Sequence, residues 1–171
     1  MAERPILFAL AGLPFAGKTR LGRRIAQIKR IPHVDFNEIL VEQGLEGKNV
    51  SNAQCLLIDQ EAERRTAVHI KNGLDVVYDI TPFTKARRDR VREFANALDA
   101  RLLLIYVEAS KEETRRRWLR NNATHERQIV HPDVFAYVTN NFEPPYEEKY
   151  ILYTQTDDPL AWIKTNIEEN Y

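Results

Sequence analysis

The sequence predicts an α/β fold in three layers: an open, parallel sheet of five strands, helices on both its faces, and a helical lid over roughly residues 115–148. Three observations predict it. Short apolar or β-branched runs alternate with helical stretches along the whole chain, the pattern of repeated βαβ units. The run 101–107 is almost continuously apolar, which suits a parallel strand covered on both faces. Between the first apolar run and the first helical one stands Gly12-Leu13-Pro14-Phe15-Ala16-Gly17-Lys18-Thr19, which fits G-x-x-x-x-G-K-[ST], the spacing of a phosphate-binding P-loop.

The motif sets what the rest of the chain must do. A polyphosphate has to meet several backbone N–H groups at once, and only a tight loop poor in Cβ atoms lets the chain come that close. Gly12 and Gly17 supply the freedom, and the positive end of the following helix completes an anion site. Lys18 is placed to reach the β- and γ-phosphates, and the Thr19 hydroxyl to take a Mg²⁺ position. Leu13, Pro14, Phe15 and Ala16 complete the cradle.

Helix 18–28 turns Leu21, Ile25 and Ile28 inward and puts Arg20, Arg23, Arg24 and Lys29 on the other side, which reads as a solvated face. Strand 31–34 ends at Asp35, and a helical piece at 37–43 leads into turn chemistry at 44–50. Ser51 and Gln54 form a capping box that opens a long helix to Lys71, closed by Asn72-Gly73. Cys55, in the apolar neighbourhood of residues 56–58, reads as a buried structural thiol. Strand 74–80 carries Asp79 near its end, and residues 83–98 have helical spacing. After strand 101–107, Ser110 and Glu113 suggest a second capping box for a helix reaching Asn121-Asn122. Residues 121–148 hold no strand and one helix at 132–141; a stretch this long outside the sheet is usually a functional lid. Strand 149–154 and a helix at 160–169, with Asp158-Pro159 as N-cap and first residue, finish the chain.

Size and composition narrow the class. The 171 residues suit a single domain, and 25 basic against 25 acidic residues give no argument for a dedicated nucleic-acid or membrane-surface protein. One cysteine excludes an intrachain disulfide, and no apolar run approaches membrane-spanning length. A cytoplasmic protein is expected, with no membrane partner; the oligomeric state is not encoded in any pattern found.

Ligands of open α/β sheets sit beyond the carboxyl ends of the strands, so Gly12, Asp35, Asp79, Glu108 and the segment after Thr154 should share one edge. Phosphoryl transfer needs a phosphate cradle, Mg²⁺, a group that accepts the hydroxyl proton, and cations for the growing charge. Asp35 is the candidate base, with a helix N-cap as its alternative. Asp79, after an apolar run, has the form of a Walker B carboxylate that holds Mg²⁺ through water or orients substrate, and a turn cap is its alternative. Arg115, Arg116, Arg117, Arg120 and Arg127 form a basic cluster beside the lid. Arg120 and Arg127 are the best placed of these to reach transferring phosphate.

The P-loop, the strand ending in Asp35, the step from Asp79 to Thr81, the arginine-rich helix and Phe142-Glu143-Pro144-Pro145 together resemble a group of AAA-type P-loop kinases. That group is related to the polynucleotide 5′-kinase domain and to chloramphenicol phosphotransferase. The resemblance covers nearly the whole chain. It implies ATP and Mg²⁺, Asp35 as base, Asp79 and Thr81 near the substrate, and Arg120 and Arg127 as lid cations. It also implies adenine near Arg116, Arg120 and Gln155. Polynucleotide kinases of this group carry an arginine shortly after the base, where this sequence has Phe36-Asn37-Glu38. A small-molecule acceptor is therefore favoured over a nucleic acid, and an ATP-binding switch without an acceptor is the alternative of another class.

Overall fold

In the computed structural model, which describes residues 4–46, 48–80 and 82–171, five parallel strands form one sheet in the order β2-β3-β1-β4-β5. The elements are β1 (Ile6–Ala11), α1 (Lys18–Lys29), β2 (His33–Asp35), α2 (Phe36–Glu42), α3 (Asn52–Lys71), β3 (Val76–Asp79), α4 (Lys85–Ala97), β4 (Arg101–Val107), α5 (Lys111–Thr124), α6 (Pro132–Asn140), β5 (Ile151–Tyr153) and α7 (Pro159–Ile163). The expected fold class is the observed one. Among the described residues no helix is long and apolar enough to cross a membrane.

β1 is the middle strand and is buried along its whole length. Its side chains alternate between two cores, as a period of two demands. Phe8 and Leu10 join Val77, Ile105 and Val107 under Leu21 and Ile25 of α1 and Trp162 and Ile163 of α7. Leu7 joins Val34, Val76 and Tyr78 under α2, α3 and α4, where Ile39, Ile58, Ala62 and Ala95 close the layer. Each fully buried Val, Leu, Ile or Phe side chain contributes about 1.5 to 3 kcal/mol. A strand flanked by two such layers has to be apolar on both faces, which is why β1 and β4 read as continuous runs.

Local chemistry sets several boundaries. Ser51 accepts from the Gln54 amide while the Gln54 side chain accepts from the Ser51 amide, so α3 starts with a complete capping box. At α5 the box is only half made: Ser110 accepts from the Glu113 amide, but Glu113 turns to Arg116 and Arg117 instead of returning to Ser110. Bonds to two guanidinium groups, in which donor and acceptor are both ionised, outcompete one from a neutral amide. The last helix also differs from expectation, because after Ile163 the chain widens to a π-helix over Lys164–Glu168, with the Glu169 amide donating to the Lys164 carbonyl at 3.1 Å.

The segment after α6 is tied down firmly. Glu148 accepts from Arg88 of α4 at 2.6 and 2.9 Å and pairs with Arg92, while the Glu143 amide donates to the Phe83 carbonyl at 2.9 Å. Arg88 and Glu148 are both buried. The return from α6 to β5 is thus fixed to the start of α4.

Candidate active site

The phosphate loop connects β1 to α1. A Cβ added at Gly12 would overlap the Val107 carbonyl oxygen of β4, so no other residue fits there. Gly17 caps α1 at φ 103°, another position that favours glycine. Lys18 is 7% exposed, and its ammonium donates to the carbonyls of Gly12 at 3.1 Å and Leu13 at 2.7 Å. Burial pushes this amine down to about 8, with the nearby Asp79 carboxylate partly restoring it. Thr19, half-buried, sits one residue on at the start of α1.

Two other elements brace the loop. Arg117 of α5 donates to the Phe15 carbonyl at 3.1 Å and to the Gln155 side chain at 2.6 Å, and is itself held by Glu113 at 2.7 Å. Gln155, in the turn after β5, donates to the Ala16 carbonyl at 2.8 Å. These contacts join α5, the turn and the loop into one wall of a cavity of about 350 Å³.

Five arginines line that cavity, Arg20 and Arg24 from α1, Arg117 and Arg120 from α5 and Arg127 beyond it, against one carboxylate, Glu126. A chain with no net charge therefore concentrates positive charge at the mouth of its phosphate loop. Arg120 is three-quarters exposed and lies 3.8 Å from Glu126. The backbone of Arg127 is fixed by buried Asn121, whose side chain accepts from the Arg127 amide at 2.8 Å and donates to the Arg127 and Gln128 carbonyls. Asn121 was legible only as a helix end, and its burial is what makes it an anchor.

Two expectations about cations are corrected here. Arg116 lies outside the cavity, exposed and paired with Glu113 at 2.8 Å; one residue further along α5 turns the side chain by about 100°, so Arg117 faces the loop instead. The cations of α1 are not a plain solvated face. Arg20 and Arg24 line the cavity, and Lys29 is mostly buried at 3.6 Å from Asp75.

Arg23 goes to the other side of the cleft. It lies 3.5 Å from Asp35 and 3.3 Å from Glu38, so a cation does stand beside the candidate base, delivered by α1 rather than by the residues after Asp35. Asp35 itself does two things at once. One oxygen accepts from the Asn37 amide at 2.8 Å as the N-cap of α2, and the other faces Arg23. Burial, then the neighbouring Asp79, pushes its carboxyl above the usual carboxylate range.

Asp79 is the register partner of Asp35 on β3 and is 2% exposed. Neither of its oxygens has a hydrogen-bond donor among the described residues, and His33 Nε2 stands 3.5 Å away. A buried carboxylate without donors is costly unless something else satisfies it, and a hydrated divalent cation is a suitable partner. The donor set of Thr19 and Asp79 therefore fits Mg²⁺. Thr81 lies outside the described residues. Cys55 is half-buried, with burial pushing its thiol up, which suits an unreactive side chain.

A family model described as an AAA domain matches residues 7–145. The chain belongs to this family. It is also similar to shikimate kinase of Vibrio vulnificus, with 28% identity over 97% of this chain and 95% of that protein, and to shikimate kinase of Haemophilus influenzae, with 29% identity over 97% and 91%. Among solved structures, the APS kinase of Mycobacterium tuberculosis in complex with AMPPNP and APS superposes with a TM-score of 0.71 at 12% identity, covering 96% of each chain. A gluconokinase from Sinorhizobium meliloti superposes with a TM-score of 0.67 at 16% identity, covering 95% of this chain and 89% of its own. The P-loop kinase fold read from the sequence is the fold these proteins share.

Proposed function

We propose that this protein is a single-domain kinase that moves the γ-phosphate of ATP to a hydroxyl of a small acceptor, uncharged or weakly charged near that hydroxyl, with Mg²⁺. The observation that carries the reading is the placement of Asp35: a buried carboxylate with a raised pKa, beside Asp79 and on the same edge of the sheet as the phosphate loop. The full-length similarity to shikimate kinases supports a small-molecule acceptor.

The loop from Gly12 to Thr19 binds the phosphates through backbone N–H groups, and Lys18 exchanges the carbonyls of Gly12 and Leu13 for phosphate oxygens. Thr19 and Asp79 would hold Mg²⁺, which neutralises phosphate charge during transfer. Adenine lies against α5 and the turn at Gln155. Asp35 accepts the acceptor's hydroxyl proton as the new oxygen–phosphorus bond forms and the bond to the ADP oxygen breaks. Arg120 and Arg127 meet the charge that spreads over the transferring group. On the acceptor side, Arg23 is already shared between Asp35 and Glu38, and Asp79 stands beside Asp35 on the next strand, so carboxylates outnumber the one guanidinium and a polyanion is disfavoured.

ADP release should be measured across polyols, sugars, hydroxy acids, nucleosides and 5′-hydroxyl oligonucleotides. Stimulation of about tenfold or more by one small-molecule class, with a phosphorylated product, is the expected result. Slow hydrolysis indifferent to every acceptor would make the protein an ATP-binding switch, and selective stimulation by oligonucleotides that weakens steeply with salt would make it a polynucleotide kinase.

A further inference from the structure

Phe15 stands in the phosphate loop with a φ of 63°, the left-handed region that glycine adopts freely and a residue with a Cβ does not. Nothing in phosphate binding needs its ring, because the cradle is made of backbone N–H groups. The ring is used elsewhere. It packs against Phe135 of α6 with centroids 6.2 Å apart, and Phe135 in turn stacks on Trp118 of α5 at 4.6 Å with the planes nearly parallel. The Trp118 indole N–H donates to the Val130 carbonyl at 2.9 Å, in the loop that carries Arg127 to α6.

This makes a continuous aromatic column from the phosphate loop through the lid helix to the loop of the lid arginine. Phe15 is held at both ends, its carbonyl by Arg117 and its ring by buried Phe135. A glycine would make the same turn without strain but could not reach α6.

We propose that Phe15 is a positioning residue, whose ring seats α6 against the phosphate loop and so sets Arg127 over the transferring phosphate. The proposal rests on the kinase reading for its effect on turnover, but the coupling itself is read on nucleotide binding alone.

The test uses the full-length chain carrying Trp162→Phe, so that Trp118 is the sole indole. In that background Phe15→Gly, which relaxes the backbone and removes the ring, is compared with Phe135→Ala, which leaves the loop untouched. Acrylamide quenching of Trp118 and ADP affinity are measured without acceptor, and kcat with it. Both variants should bind ADP within about threefold of the parent while Trp118 becomes at least twice as quenchable with ADP bound. Both should lose about tenfold or more in kcat, with KM for ATP little changed, and Phe15→Tyr should restore most of it. Quenching and kcat unchanged in Phe15→Gly would overturn the proposal. So would a tenfold fall in ADP affinity matching the fall in kcat, which would show that only the cradle was damaged. If the parent transfers phosphate to no acceptor, the kinase reading fails while the quenching comparison still decides the coupling.

Discussion

Asp35 and Asp79 are register partners on adjacent parallel strands, so two buried carboxylates stand side by side at the carboxyl edge of the sheet, one oxygen of Asp35 engaged by a backbone amide and Asp79 engaged by no donor among the described residues. Side-by-side carboxylates in a buried site resist ionising together. On the proposed reading the arrangement divides the labour: Asp35, aimed by its cap and raised in pKa, serves as the base, whereas Asp79, without a donor among the described residues, serves the cation.

Asp35→Asn tests the first half of that division. Asparagine caps a helix as well as aspartate, so α2 should keep its start, and folding stability near neutral pH should be equal or higher because a carboxyl whose pKa is raised by folding lowers stability above its unfolded value. Activity should fall by roughly 10² to 10⁴ with ATP affinity nearly unchanged. The acid limb of the wild-type profile of kcat/KM, set above the usual carboxylate range, should disappear. A variant that transfers within a few-fold of wild type would leave Asp35 a cap only and move the base to Asp79.

Lys18 makes a prediction about protons. Its folded pKa of about 8 lies below the unfolded value of 10.5, so the unfolded chain binds more protons between those values and folding stability rises as pH climbs through that window. A bound polyphosphate favours the ammonium and should raise the pKa again. Calorimetry of ADP binding at pH 8 in buffers of different ionisation enthalpy should therefore record uptake of a fraction of a proton, absent in Lys18→Met. Lys18→Ala should also abolish transfer while remaining folded.

Arg117 and Arg116 separate a braced cation from a solvated one. Arg117→Ala removes charged hydrogen bonds to Phe15 and Gln155, each worth roughly 1.5 to 3 kcal/mol, and should weaken nucleotide binding about tenfold or more. Arg116→Ala, at a side chain 77% exposed, should stay within about 0.5 kcal/mol of wild type in stability and leave binding intact. Equal effects from the two would contradict the wall built by Arg117.

Arg120 and Arg127 should split affinity from turnover. Among the described residues neither is hydrogen-bonded to the phosphate loop, although both line the same cavity, so alanine at either position should lower kcat by up to about 10³ while ATP affinity changes little. A loss of affinity with normal kcat would mark a ground-state contact instead.

The sequence carried the sheet and the cradle because those features are local: a glycine spacing, apolar runs and a capping box state their geometry within a few residues. Asp35 and Asp79 were also legible, since each ends a strand and parallel strands end on one edge. Side-chain direction on the helices was less so. Whether Arg116 or Arg117 faces the loop depends on the phase of α5 against β4 and β5, and whether Arg23 meets solvent or Asp35 depends on where β2 lies beside α1. Those facts belong to packing between distant segments. Phe15 was read only as part of the phosphate cradle, because the partner of its ring lies 120 residues away.

A buried ion pair holds the return from α6 to β5. Arg88 is 1% exposed and gives two nitrogens to Glu148, with a third on the Pro82 carbonyl, so the loop after β3 and the return from the lid share one guanidinium. Burial pushes the Glu148 carboxyl up, but the hydrogen bonds of Arg88 and Arg92 together outweigh it and leave the pKa below the usual value. The stability this supplies is present above the unfolded pKa of about 4.5 and is lost as pH falls through the lower folded value. Glu148→Gln leaves the buried guanidinium without its counter-charge, which typically costs about 3 to 5 kcal/mol, or roughly 6 to 20 °C in Tm for a chain of this size. Replacing both partners by apolar residues of similar volume, Arg88→Met with Glu148→Leu, should recover most of that loss, because the desolvation cost disappears along with the attraction. Thermal melts at pH 7 and pH 4 decide the matter. The gap between wild type and Glu148→Gln should be wide at pH 7 and narrower at pH 4, and a gap that is the same at both would mean that Glu148 contributes by packing rather than by charge.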